Sequence, residues 1–222
     1  YRQQPLKLIT PTNNEFNLIA TYEGKEIDLY KLFYNVSQEK KGDTTEVKFS
    51  ILLNNGSSVT HLYKIPSKVY QINYEINSSG FAEKLSGEYV TFQWRNILKP
   101  IEKDLADTRI YSTITYYSPN DGFDELSERS TDTETETFAE PLKWITIKEK
   151  FFLSSIVARN NFSGGEVETA INESDTSVVK RANAKLFIPL KDLKENKADF
   201  KFYFGPNDYQ TIGQVADKFT KN

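Results

Sequence analysis

Apolar and polar positions alternate along most of this chain. Residues 69–76 place Tyr70, Ile72, Tyr74 and Ile76 on one side and Gln71, Asn73 and Glu75 on the other. A period of two is the signature of a strand with one face turned to a core. Residues 46–53 repeat it, with Val47, Phe49 and Ile51 set against Lys48 and Ser50. Further strands are predicted over 16–22, 59–64, 89–94, 109–117, 143–148, 151–159, 178–188 and 199–204, all rich in β-branched and aromatic residues.

Turn chemistry separates these runs. Asn54-Asn55-Gly56 joins two of them as a hairpin, and Ser118-Pro119-Asn120-Asp121-Gly122 and Ser163-Gly164-Gly165 form two more turn clusters. Many short strands with frequent turns predict an all-β sandwich or barrel. Helix is expected mainly at the C-terminus, with a turn or two near residues 99–106. There Asn207 can act as a cap, Asp208 sits at the positive end of the dipole, and Gln210 can close a capping box. Tyr209, Ile212, Ala216 and Phe219 then recur at helical spacing as one apolar stripe, predicted to pack on the sandwich. Residues 128–140 carry Ser, Thr, Asp or Glu at nearly every position and read as a solvated loop. The alternative there is a calcium site from Asp132, Glu134 and Glu136, although no glycine-bearing loop of fixed ligand spacing accompanies them.

Composition narrows the chemistry. At 222 residues with 15 Phe, 13 Tyr and 2 Trp, the chain can bury a core without staples. It has no cysteine, which removes disulfides, thiolate catalysis and cysteine-ligated zinc. Net charge is −3, and basic residues gather only in pairs such as Lys40-Lys41 and Lys180-Arg181, so no nucleic-acid face is expected. No apolar run approaches the ~20 residues that span a bilayer. The chain does not begin with Met and is expected to be a piece of a longer protein.

Catalytic candidates are few. Every Ser-His-Asp arrangement would need His61, the single histidine, and no serine sits in a G-x-S-x-G elbow. There is no phosphate-cradling glycine loop. No catalytic residue, cofactor or metal is therefore expected. Trp94 and Trp144 lie in predicted strands and read as core residues rather than ligand platforms.

Two stretches resemble the periplasmic domain of the YidC-type insertases of the YidC/Oxa family. The first is Pro141-Leu142-Lys143-Trp144-Ile145-Thr146-Ile147-Lys148-Glu149-Lys150-Phe151-Phe152-Leu153-Ser154-Ser155-Ile156, a tryptophan strand leading into an aromatic pair and a small-residue strand, with Glu149 where the family more often carries glutamine. The second is Phe202-Tyr203-Phe204-Gly205-Pro206-Asn207-Asp208-Tyr209, similar to the family's aromatic strand, Gly-Pro turn and helix start. The resemblance implies a twisted antiparallel β-supersandwich of the galactose-mutarotase and sugar-binding kind with a C-terminal α-helix. It implies one periplasmic domain over residues 1–222, in which 207–220 is a connector toward a transmembrane helix. It further implies a multi-pass inner-membrane parent and a monomeric isolated domain. The expected partners are nascent inner-membrane proteins and the Sec translocon with its accessory subunits. A carbohydrate-binding module or a mutarotase-like sugar enzyme is the alternative.

Overall fold

In the computed structural model, which describes residues 7–208, fifteen strands form two sheets. In chain order they are β1 (Asn14–Tyr22), β2 (Lys25–Asp28), β3 (Asn35–Lys41), β4 (Thr44–Leu52), β5 (Ser58–Pro66), β6 (Gln71–Ser79), β7 (Leu85–Ile97), β8 (Thr113–Ser118), β9 (Gly122–Glu125), β10 (Glu134–Phe138), β11 (Leu142–Lys148), β12 (Phe152–Phe162), β13 (Gly165–Ala170), β14 (Arg181–Pro189) and β15 (Ala198–Pro206). The smaller sheet runs β10-β13-β14-β7-β1-β2 and the larger β3-β4-β5-β6-β15-β12-β11-β8-β9. The strand pairings are antiparallel. Two short helices, α1 (Leu105–Ile110) and α2 (Leu190–Lys194), carry the chain from one sheet to the other.

Alternation decides which residues meet between the layers. Leu18, Phe92, Trp94 and Leu186 face inward from the smaller sheet, and Tyr74, Ile76, Ile145, Ile147, Ile156, Phe200 and Phe202 from the larger. Phe92 and Phe202 touch across the interface at 6.1 Å between ring centres, and Trp94 meets Phe204 at 6.1 Å. This is an antiparallel β-sandwich, as the pattern of short strands predicts. Strand β15 lies between β6 and β12, so the middle of the larger sheet is completed by residues near the C-terminal end. At its far edge the larger sheet overhangs the smaller, and β3 is exposed along its whole length.

Several expectations change. The strand predicted over 109–117 begins only at Thr113, because Arg109 and Ile110 belong to α1. There the Arg109 guanidinium donates to the carbonyls of Asn172, Asp175, Val178 and Val179 and so organises a loop distant in sequence. The loop predicted over 128–140 contains β10, an edge strand in which Glu134 and Phe138 are half-buried while Thr135, Glu136 and Thr137 are exposed. Tyr70 precedes β6 and is exposed instead of sharing the buried face of Tyr74 and Ile76. The Asn-Gly hairpin is as expected: Leu53 N–H donates to Ser57 O, and Gly56 takes a positive φ of 81°. Ser163-Gly164-Gly165 does more than turn. It moves the chain from the larger to the smaller sheet, and a Cβ at Gly164 would lie 2.5 Å from Phe138 O.

The Gly205-Pro206 pair is not a turn. Both residues finish β15, Gly205 opposite Leu153 and Pro206 opposite Phe152. Glycine is required because a Cβ at 205 would fall 2.7 Å from Tyr70 Cγ and 2.7 Å from Tyr203 Oη. Asn207 then donates its backbone N–H to Phe151 O and its Nδ2 to Glu149 O, which ties the end of β15 to the β11–β12 turn. The helix expected beyond it, with Tyr209, Ile212, Ala216 and Phe219, lies outside the described residues. No helix among the described residues is long and apolar enough to cross a membrane.

Candidate functional site

The most site-like feature is an aromatic cavity of about 330 Å³ between the sheets, lined by Ile9, Phe16, Tyr30, Tyr63, Ile72, Phe92, Phe202 and Phe204. It shares Ile9 and Phe204 with a second hollow of about 490 Å³ formed by Leu8, Tyr70, Phe152, Gly205 and Pro206. Volume and aromatic lining are those of ligand pockets.

A polar chain adjoins the cavity. His61 on β5 pairs in register with Ile76 on β6, which brings its ring beside Tyr74. Tyr30 donates to Tyr74 Oη at 2.9 Å, and Tyr74 Oη lies 2.7 Å from His61 Nδ1. His61 Nε2 lies 3.0 Å from Tyr34 Oη, which donates onward to Leu29 O at 2.7 Å. For a neutral imidazole, one arrangement of protons satisfies every link. Tyr74 donates to an unprotonated Nδ1, and Nε2–H donates to Tyr34. Tyr63 stacks on Tyr74 at 4.6 Å and closes the cluster.

Burial governs the electrostatics here. His61 is 2% exposed and its pKa is pushed down to about 4, with desolvation the cause and no charged partner contributing. Tyr30 and Tyr74 are held well above the ordinary tyrosine range, first by desolvation. A neutral imidazole whose two nitrogens are already engaged, with no carboxylate in its chain of hydrogen bonds, can position rings but is poorly placed to move a proton to a ligand.

The residues singled out from sequence do not gather in one place. Phe152, Gly205 and Pro206 come together around the second hollow. Phe151 is exposed, with Lys150 Nζ 5.0 Å from its ring centre. Trp144 corrects the reading of a core residue. Ile145 and Ile147 take the inward face of β11, so Trp144 points outward, half-buried, and stacks on Tyr117, with Phe123 next in the row at 6.0 Å from Trp144. Trp94 is fully buried as predicted, its indole N–H donating to Asn14 Oδ1 at 2.8 Å. Asp132, Glu134 and Glu136 form no cluster, and among the described residues no three acidic or histidine side chains gather as metal ligands.

Sequence reasoning missed Tyr30, Tyr34 and Tyr63, because their meeting with His61 depends on strand register and on the crossing from β2 to β3. It also missed the environment of Glu149, which is half-buried. In the β11–β12 turn its carboxyl is pushed up to about 7 by desolvation. Lys180 is a buried charge, 1% exposed, with its ammonium donating to Glu128 O at 2.8 Å and its pKa lowered to about 8 by burial.

Comparison with known proteins follows the same lines. The chain is 32% identical to the membrane protein insertase YidC of Cytophaga hutchinsonii over 99% of its own length and 37% of that protein's. It is 27% identical to the insertase YidC of Amoebophilus asiaticus over all of its own length and 38% of that protein's. It thus spans little more than a third of these relatives. Among solved structures, a galactose mutarotase related enzyme of Lactobacillus acidophilus aligns with a TM-score of 0.42 at 11% identity, covering 84% of this chain and 77% of that one. A GH36 alpha-galactosidase of Geobacillus stearothermophilus aligns with a TM-score of 0.47 at 8% identity, covering 91% of this chain and 32% of that one. Likenesses at this level bear on no site or substrate. The sequence profile of the YidC periplasmic domain matches residues 1–222, and the chain belongs to that family.

Proposed function

We propose that this chain is the periplasmic module of an inner-membrane protein insertase, a scaffold and interaction domain with no chemistry of its own. The observation that carries the reading is the family match over all 222 residues. The environment of His61, buried, neutral and engaged at both nitrogens, supports the absence of catalysis. In this reading the parent is a multi-pass protein of the bacterial inner membrane. It assists insertion and folding of nascent inner-membrane proteins, alone or with the Sec translocon and its accessory subunits. Insertion rests on partitioning of apolar segments into the bilayer, which asks no acid, base or metal of this domain.

Residues 1–222 act as one domain, monomeric when isolated, and 207–220 form a connector helix. Tyr209, Ile212, Ala216 and Phe219 dock on the sandwich and pass its position to the next transmembrane segment. Asn207, tied to the β11–β12 turn, is the fixed point from which the connector leaves. Thermal melting of Ile212→Ala and Phe219→Ala beside Gln214→Ala tests this, with insertion of a client by the full-length protein scored in parallel. Docking requires the first two to melt well below the third. Equal melting of all three removes the connector role.

A carbohydrate-binding module is the second reading. One observation favours it: Phe123, Tyr117 and Trp144 lie in register across β9, β8 and β11 as an outward row of rings on which a sugar could stack. Titration with mono- and oligosaccharides, followed by tryptophan fluorescence, separates the readings, because only a sugar module saturates.

A further inference from the structure

A small polar cavity lies apart from the aromatic one. It has a volume of about 60 Å³ and is lined by Lys7, Leu8, Asn13, Asn96, Leu98, Lys99, Ile101 and Glu149. Three of these residues carry side-chain oxygens. Asn13 Oδ1 is fully engaged by Thr10 N–H, Thr10 Oγ1 and Asn14 Nδ2. Asn96 differs: its side chain is 3% exposed and its Oδ1 is buried with no hydrogen-bond partner. An acceptor left so is destabilising unless something fills the space beside it. Glu149 is the third, and its carboxylate forms no ion pair with the lysines that share the lining.

Those lysines do not neutralise the cavity. Lys7 and Lys99 are both exposed, and neither forms an ion pair with Glu149, so their ammonium groups are free to reach solvent. Lys150, next in sequence, is committed to Asp107. The cavity therefore presents oxygen acceptors and one unopposed negative charge. Calcium would need six to eight oxygen ligands, and no acidic cluster of that kind exists among the described residues. The space is wide enough for a guest of water size or a little larger.

We propose that this cavity binds one small monovalent cation, ammonium or potassium, between the Glu149 carboxylate and Asn96 Oδ1. A proton on Glu149 competes with the cation, so binding strengthens as the carboxyl ionises. The site is independent of the insertase reading.

Melting of the 222-residue chain tests the proposal at about pH 8, in chlorides of potassium, ammonium and N-methylglucamine at equal ionic strength. The first two salts should raise Tm by about 2 °C or more over the third, which is too large to enter. Lys99→Ala should keep the effect, while Glu149→Gln or a shift to about pH 5 should abolish it. Anomalous diffraction from crystals soaked in thallium(I) should place a peak beside Glu149 and Asn96, a readout that does not depend on any variant folding. Equal melting in the three salts, or no thallium peak in the cavity, overturns the proposal and leaves an internal water only. Potassium stabilisation that persists undiminished in Glu149→Gln overturns it too, by placing the ion elsewhere.

Discussion

Tyr74 Oη lies 2.7 Å from His61 Nδ1, and this contact fixes the tautomer of the only histidine in the chain, which burial keeps neutral. In the neutral ring Tyr74 donates and Nδ1 is bare. Protonating it would reverse the bond, with Nδ1–H donating to Tyr74 Oη, and place a charge in a site that is 2% exposed. The folded pKa is about 4 against an ordinary 6.5. Between those values the unfolded chain binds the extra proton and the folded one does not. Stability supplied by this group is thus complete above about pH 6.5 and lost as pH falls toward about 4, by ~3 kcal/mol in total. Urea unfolding across that window, with the histidine ring signals followed by NMR, checks the slope. His61→Phe should flatten it and lower stability at neutral pH, since two hydroxyls lose their partners at ~1–3 kcal/mol each.

Glu149 should slope the other way. Its folded pKa is about 7 against an ordinary 4.5, so the folded chain keeps a proton that the unfolded chain has released. Stability falls as pH rises from about 4.5 to about 7 and stays reduced above that, by roughly 2–3 kcal/mol. Glu149→Gln should remove the loss and raise stability at about pH 8 by that amount, measured in N-methylglucamine chloride. The two slopes oppose each other between about pH 4.5 and 6.5, so the parent should look nearly flat there while each variant uncovers the other group.

Gly205 is predicted to tolerate no side chain. The Cβ of Gly205→Ala would meet the Tyr203 ring at 2.8 Å and Tyr70 Cγ at 2.7 Å. Tyr203 is buried and bonded to Pro206 O, so it cannot swing aside freely. The expected cost is ~1–3 kcal/mol in chemical denaturation, partly recovered when the exposed Tyr70 is also changed to Ala.

The two tryptophans should behave oppositely. Trp94→Ala should cost ~3–5 kcal/mol, as for a fully buried ring, and also orphan Asn14 Oδ1. Trp144→Ala should cost clearly less. Iodide should quench the fluorescence of Trp144 in a Trp94→Phe protein and leave that of Trp94 almost unchanged in a Trp144→Phe protein.

What could be read from the sequence follows from which faces are buried. Strand β6 and the β4–β5 hairpin were legible because one face is apolar and Asn54-Asn55-Gly56 marks the turn. Strand β3 was not, because Asn35–Lys41 is exposed on both faces and carries no alternation to read. Thr135, Thr137 and Phe138 make β10 a strand although acidic neighbours disguise it as a loop. The outward aim of Trp144 was available in the Trp-Ile-Thr-Ile order, where the two isoleucines claim the core. The His61 cluster was not available. Tyr30 reaches Tyr74 only through a crossing between sheets, and Tyr63 stacks on Tyr74 only in one register. Glu149 stood out as a departure from the commoner glutamine, but its half-buried environment required the packed turn.

Client insertion by the full-length protein in proteoliposomes tests the central claim most directly, because it asks whether a folded domain contributes position or chemistry. The variants are His61→Phe and Glu149→Gln, which remove desolvated titratable groups, with near-ultraviolet circular dichroism confirming that the domain is folded at the assay temperature. The account predicts insertion rates equal to the parent for both. Loss of insertion in either variant while the domain remains folded would contradict it, and would make that group part of the working machinery.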